Sequence, residues 1–263
     1  MCPQFWAWRP WRANLVRRRF ARGLCIFPFE QEWYRSRGVR ADFIGHPLVG
    51  NVAASRSRSE YATSLGLDPG KPIVVLLPGS RAGEIAHHMP PLVQACHLIA
   101  QGRSVQFVLA LAPGMRKSQI AGYLRSDIPV SVVEDVTYDA LGAADLAIVS
   151  SGTATVEAAL MNAPMIVVYR LATVTAAIAR WLVRTPMFAM VNLIAGRRVV
   201  PELVQNDFTP ERVAREAARL LDSPEARAEI LQGLAEVREK LGPPGAIDRG
   251  ADIIAAMLKP PAN

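Results

Sequence analysis

Short apolar runs alternate along the chain with segments whose apolar positions recur at helical spacing. Such runs are typical of strands buried in a sheet, and apolar residues three or four apart are typical of amphipathic helices. We therefore predict strands at Leu24–Phe27, Ile73–Leu77, Val105–Leu111, Val130–Val133, Leu146–Val149 and Met165–Tyr169. Helices are predicted at about Ile85–Gln101, Arg116–Arg125, Tyr138–Ala143 and Thr153–Asn162.

The alternation of strands and helices predicts an α/β fold with a parallel, Rossmann-like sheet. After Tyr169 the pattern becomes entirely helical. Thr209 and Ser223 are each followed by proline, which is the signature of a capped helix start. The sequence Gly242-Pro243-Pro244-Gly245 separates the last two helices.

Residues 45–50 hold two glycines and a proline and mark the expected domain boundary. Residues 47–245 are predicted to form one nearly complete Rossmann-like domain, followed by a C-terminal helix over residues 246–263. Residues 1–46 hold one basic segment, one strand and one turn, whereas an independent domain of this class needs on the order of 100 residues. They are therefore expected to be the remnant of an N-terminal domain.

The chain of 263 residues carries 30 basic and 23 acidic residues, a formal charge of +7, and 51% of its residues are hydrophobic. The charge excess is uneven, because residues 1–24 hold six arginines and no acidic residue. A second basic cluster comprises Arg170, Arg180, Arg184, Arg197 and Arg198. Such patches attract phosphate, anionic lipid or nucleic acid, although a solvated helix face explains them as well.

Several classes of protein are excluded. Three scattered cysteines provide neither a disulfide framework nor a metal site, so a reducing compartment such as the cytoplasm fits best. The first residues lack the apolar core of a signal peptide. The apolar stretch Leu171–Val191 is interrupted by Arg180, Arg184 and Pro186 and falls short of a transmembrane helix. It is either an interfacial amphipathic helix or a core-facing helix with a basic outer face.

Two glycine turns follow predicted strands directly and carry the candidate chemistry. Parallel sheets bind ligands where strands end, and helix N-termini bind phosphate. In the turn at residues 150–155, Gly152 lets the backbone approach a diphosphate, and Glu157 can accept hydrogen bonds from a ribose. A serine- and glycine-rich helix cap with an exposed glutamate is the simpler interpretation.

The earlier turn, Gly79-Ser80-Arg81, ends in an arginine at a helix start. The guanidinium suits phosphate oxygens, and without an anion it would face the positive end of the helix dipole. A surface arginine is the alternative, and Glu84 is interpreted as structural. A third segment sets Asn192, Glu202 and Gln205 among apolar residues, where a sugar, a uracil or neighbouring backbone would partner them.

Together these elements resemble the lipid-A-disaccharide synthase family, glycosyltransferases that act at a membrane surface. The resemblance covers nearly the whole chain. The motifs that carry it are Pro3-Gln4-Phe5-Trp6-Ala7-Trp8-Arg9, Phe27-Pro28-Phe29-Glu30, Phe43-Ile44-Gly45-His46-Pro47-Leu48, Leu77-Pro78-Gly79-Ser80-Arg81, Ser151-Gly152-Thr153-Ala154-Thr155-Val156-Glu157 and Asn192-Leu193-Ile194-Ala195-Gly196-Arg197 through Gln205.

The resemblance implies a two-lobed glycosyltransferase of the GT-B type that needs no cofactor and no metal. Such enzymes transfer 2,3-diacylglucosamine from its UDP form to 2,3-diacylglucosamine 1-phosphate, with inversion, and release UDP. The product is a β-1,6-linked disaccharide. The implied partners are these two substrates, an anionic membrane surface and a second copy of the chain, but no nucleic acid. The implied location is cytoplasmic, peripheral on the inner face of the inner membrane.

By position, the resemblance brings both turns and the third segment to the donor. Arg81 and the second turn would face the diphosphate, Glu157 would hold the ribose, and Asn192 would lie near the donor sugar and the pyrophosphate. The implied UDP- and donor-binding residues are Gly79, Ser80, Arg81, Ser151, Gly152, Thr153, Ala154, Thr155, Glu157, Asn192, Glu202 and Gln205.

Two departures from the family pattern affect the expected activity. The family's N-terminal acceptor lobe begins with a glycine-rich turn and catalytic carboxylates that have no counterpart here, and no acidic residue precedes Glu30. The general base is therefore expected to be absent from the chain. Val191 also replaces a proline that is common before the Asn192 site. We expect a fragment of a full enzyme, with one piece of a split enzyme or a nucleotide-binding remnant as alternatives.

Other functions are open at this stage. Another UDP-sugar enzyme of the same fold, such as an epimerase or the peptidoglycan N-acetylglucosaminyltransferase, would share the turns. The Trp-Ala-Trp-Arg and Asn-Leu-Ile-Ala-Gly-Arg segments argue against it. A basic, non-catalytic module that binds membrane or nucleic acid is supported only by the charge excess.

Overall fold

The computed structural model describes residues 1–124, 127–171 and 187–258. Its strands form two parallel sheets, one of two strands and one of six. The described strands are β1 (Gly23–Cys25), β2 (Ala41–Phe43), β3 (Ile73–Leu77), β4 (Gln106–Leu111), β5 (Val130–Glu134), β6 (Leu146–Ser150), β7 (Met165–Tyr169) and β8 (Glu202–Val204).

Helices follow most of the strands, as the alternating pattern predicts. Within the described ranges, no helix is long and apolar enough to cross a membrane. The described α-helices are α1 (Phe5–Trp8), α2 (Ala13–Arg19), α3 (Pro28–Arg35), α4 (Arg58–Ser64), α5 (Ala82–Ala100), α6 (Thr137–Ala143), α7 (Thr153–Leu160), α8 (Met190–Ala195), α9 (Pro210–Asp222), α10 (Pro224–Lys240) and α11 (Ala246–Leu258).

The six-stranded sheet has the order β5-β4-β3-β6-β7-β8, and every neighbouring pair is parallel. This order confirms the predicted Rossmann-like α/β fold. Strands β3 and β6 are buried along their whole length, as a sheet with helices on both faces requires. The direction of strand addition reverses between β3 and β6, which is where ligands bind in such sheets.

The segment after Tyr169 is not entirely helical, so that prediction is wrong. Strand β8 pairs with β7 in parallel, with Glu202 opposite Val167 and Val204 opposite Tyr169. Only Leu203 in β8 is buried, so this short edge strand has no apolar run that could reveal it. Most of the predicted amphipathic segment, residues 172–186, lies outside the described residues.

The predicted helix over Arg116–Arg125 is also wrong where the structure describes it. Two short 3₁₀ turns, Lys117–Gln119 and Ala121–Tyr123, replace it, and residue 125 lies outside the described ranges. The N–H of Lys117 donates to the Glu134 carboxylate at 2.9 Å. Gly122 lies in the second turn, and glycine is unfavourable in a helix interior, which disfavours a continuous helix here.

Residues 1–46 contain more structure than the single strand predicted for them. Strand β1 ends at Cys25 and pairs with β2, and Phe27 precedes helix α3. Pro28 opens that helix, and Glu30 accepts hydrogen bonds from the N–H groups of residues 26 and 27 at 3.3 Å. Helices α2 and α3 and the two strands enclose a small apolar core of their own.

The chain passes between the small core and the large sheet twice, at residues 44–50 (the first crossing) and 241–245 (the second crossing), and the two crossings touch. The N–H of His46 donates to the Leu241 carbonyl at 2.9 Å. Arg249 of α11 donates to the Ile44 carbonyl at 2.8 Å and to the Pro243 carbonyl at 2.7 Å. Helix α11 thus packs against N-terminal residues. The division into residues 1–46, 47–245 and 246–263 stays a prediction.

Asp139 anchors the stretch that follows the first crossing. Its buried carboxylate accepts hydrogen bonds from the Ser55 N–H at 2.6 Å and from the Arg56 N–H at 3.3 Å. Asp139→Ala leaves these donors without an acceptor, so we expect it to lower the free energy of unfolding by about 1–3 kcal/mol. Urea denaturation measures this loss.

The exposed Asp252 of α11 provides the control. Asp252→Ala should change the free energy of unfolding by less than about 0.5 kcal/mol. An Asp139→Ala protein as stable as the parent would show that Asp139 does not hold the stretch.

Candidate active site

Both predicted glycine turns line one cavity of about 310 Å³ at the carboxyl ends of β3 and β6. Parallel pairing sets Leu77 opposite Val149, so the two turns leave the sheet at the same level. The predicted residues that line the cavity are Gly79, Ser80, Arg81, Ser151, Gly152, Thr153, Ala154 and Glu157. Sequence reasoning missed the wall at the end of β4, formed by Ala110, Ala112 and Pro113, and it also missed Thr137.

The second turn depends on glycine for its backbone conformation. Gly152 has φ of +150°, which side-chain-bearing residues rarely adopt, and no heavy atom lies within 4 Å of where a Cβ would stand. The Thr155 hydroxyl is buried and donates to the Gly152 carbonyl at 2.8 Å, so it braces the turn and does not line the cavity. The Ser151 hydroxyl donates to the Phe188 carbonyl at 2.8 Å. Thr153 is the exposed hydroxyl of the turn.

The first turn already holds an anionic group from its own helix. The Glu84 carboxylate accepts hydrogen bonds from the Ser80 N–H at 3.0 Å and from the Arg81 guanidinium at 2.8 Å. Gly79 has φ of +120°, and a Cβ there would come within 2.6 Å of Glu84 Oε2. Glu84 is thus the structural group expected at this helix start, and it also lines the cavity.

Glu157 stands where three cavities meet. It lines the cavity of the two turns. It also lines a cavity of about 360 Å³ beside Tyr138 and Asp139, and another of about 320 Å³ that is described below. The Tyr138 hydroxyl donates to Glu157 at 3.3 Å. Burial raises the pKa of Glu157 above its usual value. Among the described residues, no cluster of His, Cys, Asp or Glu side chains is arranged to hold a metal ion.

Residues 1–245 match the family described as lipid-A-disaccharide synthetase. The chain belongs to this family. A relative from Solibacter usitatus, named lipid-A-disaccharide synthase, is 44% identical over 98% of this chain and 68% of its own length. One of the same name from Myxococcus xanthus is 41% identical over the same shares. The resemblance read from the motifs is therefore confirmed, and with it membership of a glycosyltransferase family.

Several solved structures share this chain's fold. A putative UDP-N-acetylglucosamine 2-epimerase from Listeria monocytogenes has a TM-score of 0.55 at 16% identity, over 89% of this chain and 58% of the epimerase. Anabaena Alr3699/HepE, solved with UDP-glucose, has a TM-score of 0.56 at 14% identity, over 93% of this chain and 65% of that protein. At these identities the likeness establishes the GT-B-like fold.

The third segment that sequence analysis singled out, with Asn192, Glu202 and Gln205, does not line the cavity of the two turns. Asn192 is fully buried, donates to the Val200 carbonyl at 3.0 Å and to Glu202 at 2.8 Å, and accepts from the N–H groups of residues 199 and 200. These four bonds use all the polar capacity of its amide. Asn192 therefore offers no free atom to a donor in this structure, and its expected place near the donor sugar and the pyrophosphate stays a prediction.

Glu202 supports the second turn indirectly. Its carboxylate accepts from the Ala189 N–H at 2.8 Å and from the Phe188 N–H at 3.1 Å, and the Phe188 carbonyl in turn holds Ser151. Gln205 lies just beyond β8 with a left-handed backbone, φ +55°. Neither residue lines the cavity, so direct contact of Glu202 or Gln205 with the donor stays a prediction.

His88 ties the first turn to the end of β7. Its Nδ1–H donates to the Pro78 carbonyl at 2.7 Å, and its Nε2 accepts from the Arg170 N–H at 2.9 Å. Only the neutral ring can make both bonds, and burial lowers the pKa of His88 accordingly. These two bonds hold Pro78, the residue before Gly79, to the end of β7 through the His88 ring.

The cavity of about 320 Å³ brings N-terminal residues to the second turn, among them Phe27 and His46. The buried His46 ring lies 5.2 Å from the Phe27 ring, and its Nδ1 accepts from the Leu48 N–H at 3.3 Å. Burial lowers the pKa of His46 to about 4. Sequence reasoning placed His46 in the domain boundary and in one of the family motifs, but gave it no binding role.

The low pKa of His46 predicts a pH dependence of stability. As the pH falls, the unfolded chain takes up this proton near its usual pKa of about 6.5, whereas folded His46 stays neutral until about pH 4. Acidification therefore favours unfolding, by up to about 3 kcal/mol across this window. We expect His46→Gln to lose less unfolding free energy than the parent between pH 7 and pH 4.5 in urea titrations.

His87→Gln removes a half-buried histidine from α5 and serves as the matched control. It should keep the parent's dependence on pH. If His46→Gln also kept the full dependence, the buried neutral ring would not be its source.

Proposed function

We propose that this chain binds the UDP portion of the nucleotide-sugar donor in lipid A synthesis. One observation carries the proposal: the two turns whose residues suit a diphosphate meet in one cavity at the switch point of the sheet. Arg81 and Glu157 both line that cavity, one suited to phosphate and the other to ribose hydroxyls. Family membership supports the same assignment.

The proposed reaction transfers 2,3-diacylglucosamine from UDP to 2,3-diacylglucosamine 1-phosphate. The acceptor hydroxyl attacks the anomeric carbon, the bond to the β-phosphate breaks, and the hydroxyl proton passes to a general base. Negative charge develops on the leaving UDP, so the Arg81 guanidinium and the N-termini of α5 and α7 would stabilise the transition state.

We name no general base among the described residues. Glu30 is the first acidic residue of the chain, and its carboxylate is committed to Trp6 Nε1 at 3.0 Å and to two backbone N–H groups. Burial raises the pKa of Glu30 as well. These contacts support a structural role for Glu30, which links Trp6 to the backbone of residues 26 and 27 in the N-terminal segment.

Glu84 sets a requirement for diphosphate binding. It accepts from the Ser80 N–H and the Arg81 guanidinium, the same donors that a phosphate would use at this turn. A bound diphosphate must therefore share these donors or displace the carboxylate. Because the Arg81 side chain is 78% exposed, it is able to reorient toward a ligand with little loss of packing.

A UDP titration tests the proposal. The chain is expected to bind UDP weakly but measurably by calorimetry at millimolar ligand. Arg81→Ala should weaken binding about tenfold, or about 1.4 kcal/mol, because a charged hydrogen bond to phosphate is lost.

Arg116→Ala provides the control, because Arg116 is also an exposed arginine but does not line the cavity. It should bind UDP like the parent. Absence of heat from the parent protein at millimolar UDP would refute the donor-binding function.

We also propose an anionic membrane surface as a partner, at the inner face of the inner membrane. Trp11, Leu15 and Phe20 are exposed on or beside α2, at 59%, 43% and 60%, and exposed arginines stand between them. Aromatic and basic groups on one short segment suit the headgroup region of a bilayer. A second copy of the chain remains a proposed partner.

Vesicle co-sedimentation tests the membrane proposal. Vesicles with anionic lipid should bind the chain at low salt and release it at high salt, because charge attraction is screened. Replacing both Arg18 and Arg19 with Ala should weaken binding about thirtyfold, since each basic residue near the surface contributes about 1 kcal/mol.

Arg215→Ala, at an exposed arginine of α9, is the matched control and should bind like the parent. Equal binding to neutral and anionic vesicles would contradict a charge-based surface. Vesicle binding unaffected by UDP, together with no UDP binding, would favour a non-catalytic basic module.

A further inference from the structure

The cavity of about 320 Å³, here called the second cavity, adjoins the proposed UDP site but is distinct from it. The two cavities share Gly152, Thr153 and Glu157. The remaining wall of the second cavity comes from residues 26–27 and 46–48, together with Gln4 and Met190. A group attached to a diphosphate at Gly152 therefore has an adjoining space to enter.

His46 presents a hydrogen-bond donor to this space. Its Nδ1 accepts a hydrogen bond from the Leu48 N–H, so the single proton of the neutral ring is on Nε2. Nε2 has no hydrogen-bond partner within the described part of the chain, and the residue lines the second cavity. An N–H group in this position needs a partner when water is excluded.

The rest of the wall suits a sugar. Phe27, Leu48 and Met190 offer apolar surface to the C–H face of a pyranose, while Thr153 and Glu157 offer oxygen atoms to its hydroxyls. Mostly apolar lining with a few placed polar groups is the usual character of a small-molecule site.

We propose that His46 binds the sugar of the nucleotide-sugar donor, by donating a hydrogen bond from Nε2 to a sugar oxygen in the second cavity. This inference rests on the proposed function, because it takes the diphosphate to lie at Gly152. A neutral N–H adds no net charge near the diphosphate. His46 therefore contributes to binding of UDP-sugar but little to binding of UDP.

Two substitutions at His46 separate the donor group from the ring. His46→Phe keeps a ring against Phe27 and removes the Nε2–H donor, together with the Nδ1 acceptor of the Leu48 N–H. His46→Gln places an amide N–H near the position of Nε2. Each variant and the parent chain are titrated with UDP and with UDP-N-acetylglucosamine, a water-soluble UDP-sugar, and thermal melting checks that each is folded.

The expected result is a selective loss. His46→Phe should weaken binding of UDP-N-acetylglucosamine about fivefold, the usual value of one neutral hydrogen bond, and change UDP binding less than about twofold. His46→Gln should recover most of the lost affinity for the UDP-sugar.

The titrations also separate failure of the inference from failure of the proposed function. If His46→Phe binds both ligands like the parent, or weakens both equally, His46 does not bind the sugar and the UDP site stands. If the parent binds neither ligand, the proposed function fails and the inference falls with it.

Discussion

The in-register parallel pairing of β3 with β6 is the constraint on which the site depends. Because Leu77 lies opposite Val149, both strands end at one level of the sheet and lead into helices side by side. Both strands are buried along their whole length, so a slip in register would require the close-packed side chains on both faces of the sheet to repack. The sheet core therefore fixes the spacing of the two turns before any ligand is present.

Several polar side chains near the cavity donate hydrogen bonds to the protein's own backbone. Thr155 bonds the Gly152 carbonyl, Ser151 bonds the Phe188 carbonyl, and His88 bonds the Pro78 carbonyl. Each contact stiffens a turn whose backbone conformation is unfavourable for most residues. Because these bonds fix the turns before a ligand binds, less conformational entropy is lost on binding. Hydroxyl and imidazole groups in a binding motif are thus divided between ligand contact and support of the turn.

Sequence patterns predicted the parts of the fold that are driven by long apolar runs. Strands β3, β4, β6 and β7 and the two turns were identified because burial on both faces requires continuous apolar sequence. Strand β8 escaped because one buried residue gives no pattern. The expected helix at residues 116–125 is replaced by two 3₁₀ turns, and the second contains Gly122, a residue that is unfavourable in a helix interior.

The candidate site shows the same limit. Local spacing identified Arg81 and Glu157, which follow glycine turns. It could not separate them from Thr155 and Asn192, whose side chains turn inward to bond the backbone. His46 was missed as a site residue because its place beside the second turn arises from tertiary packing between segments far apart in the chain.

The paired crossings between the small core and the large sheet have a mechanical consequence. Gly45 and Gly50 lie in the first crossing and Gly242 and Gly245 in the second, all with left-handed backbone. Because Arg249 binds carbonyls of both crossings, helix α11 is fastened to the N-terminal side. Two cross-linked connections resist twisting as a single linker does not. His46 and Leu48, which line the second cavity, lie within the first crossing, so the same cross-link also holds one wall of that cavity in place.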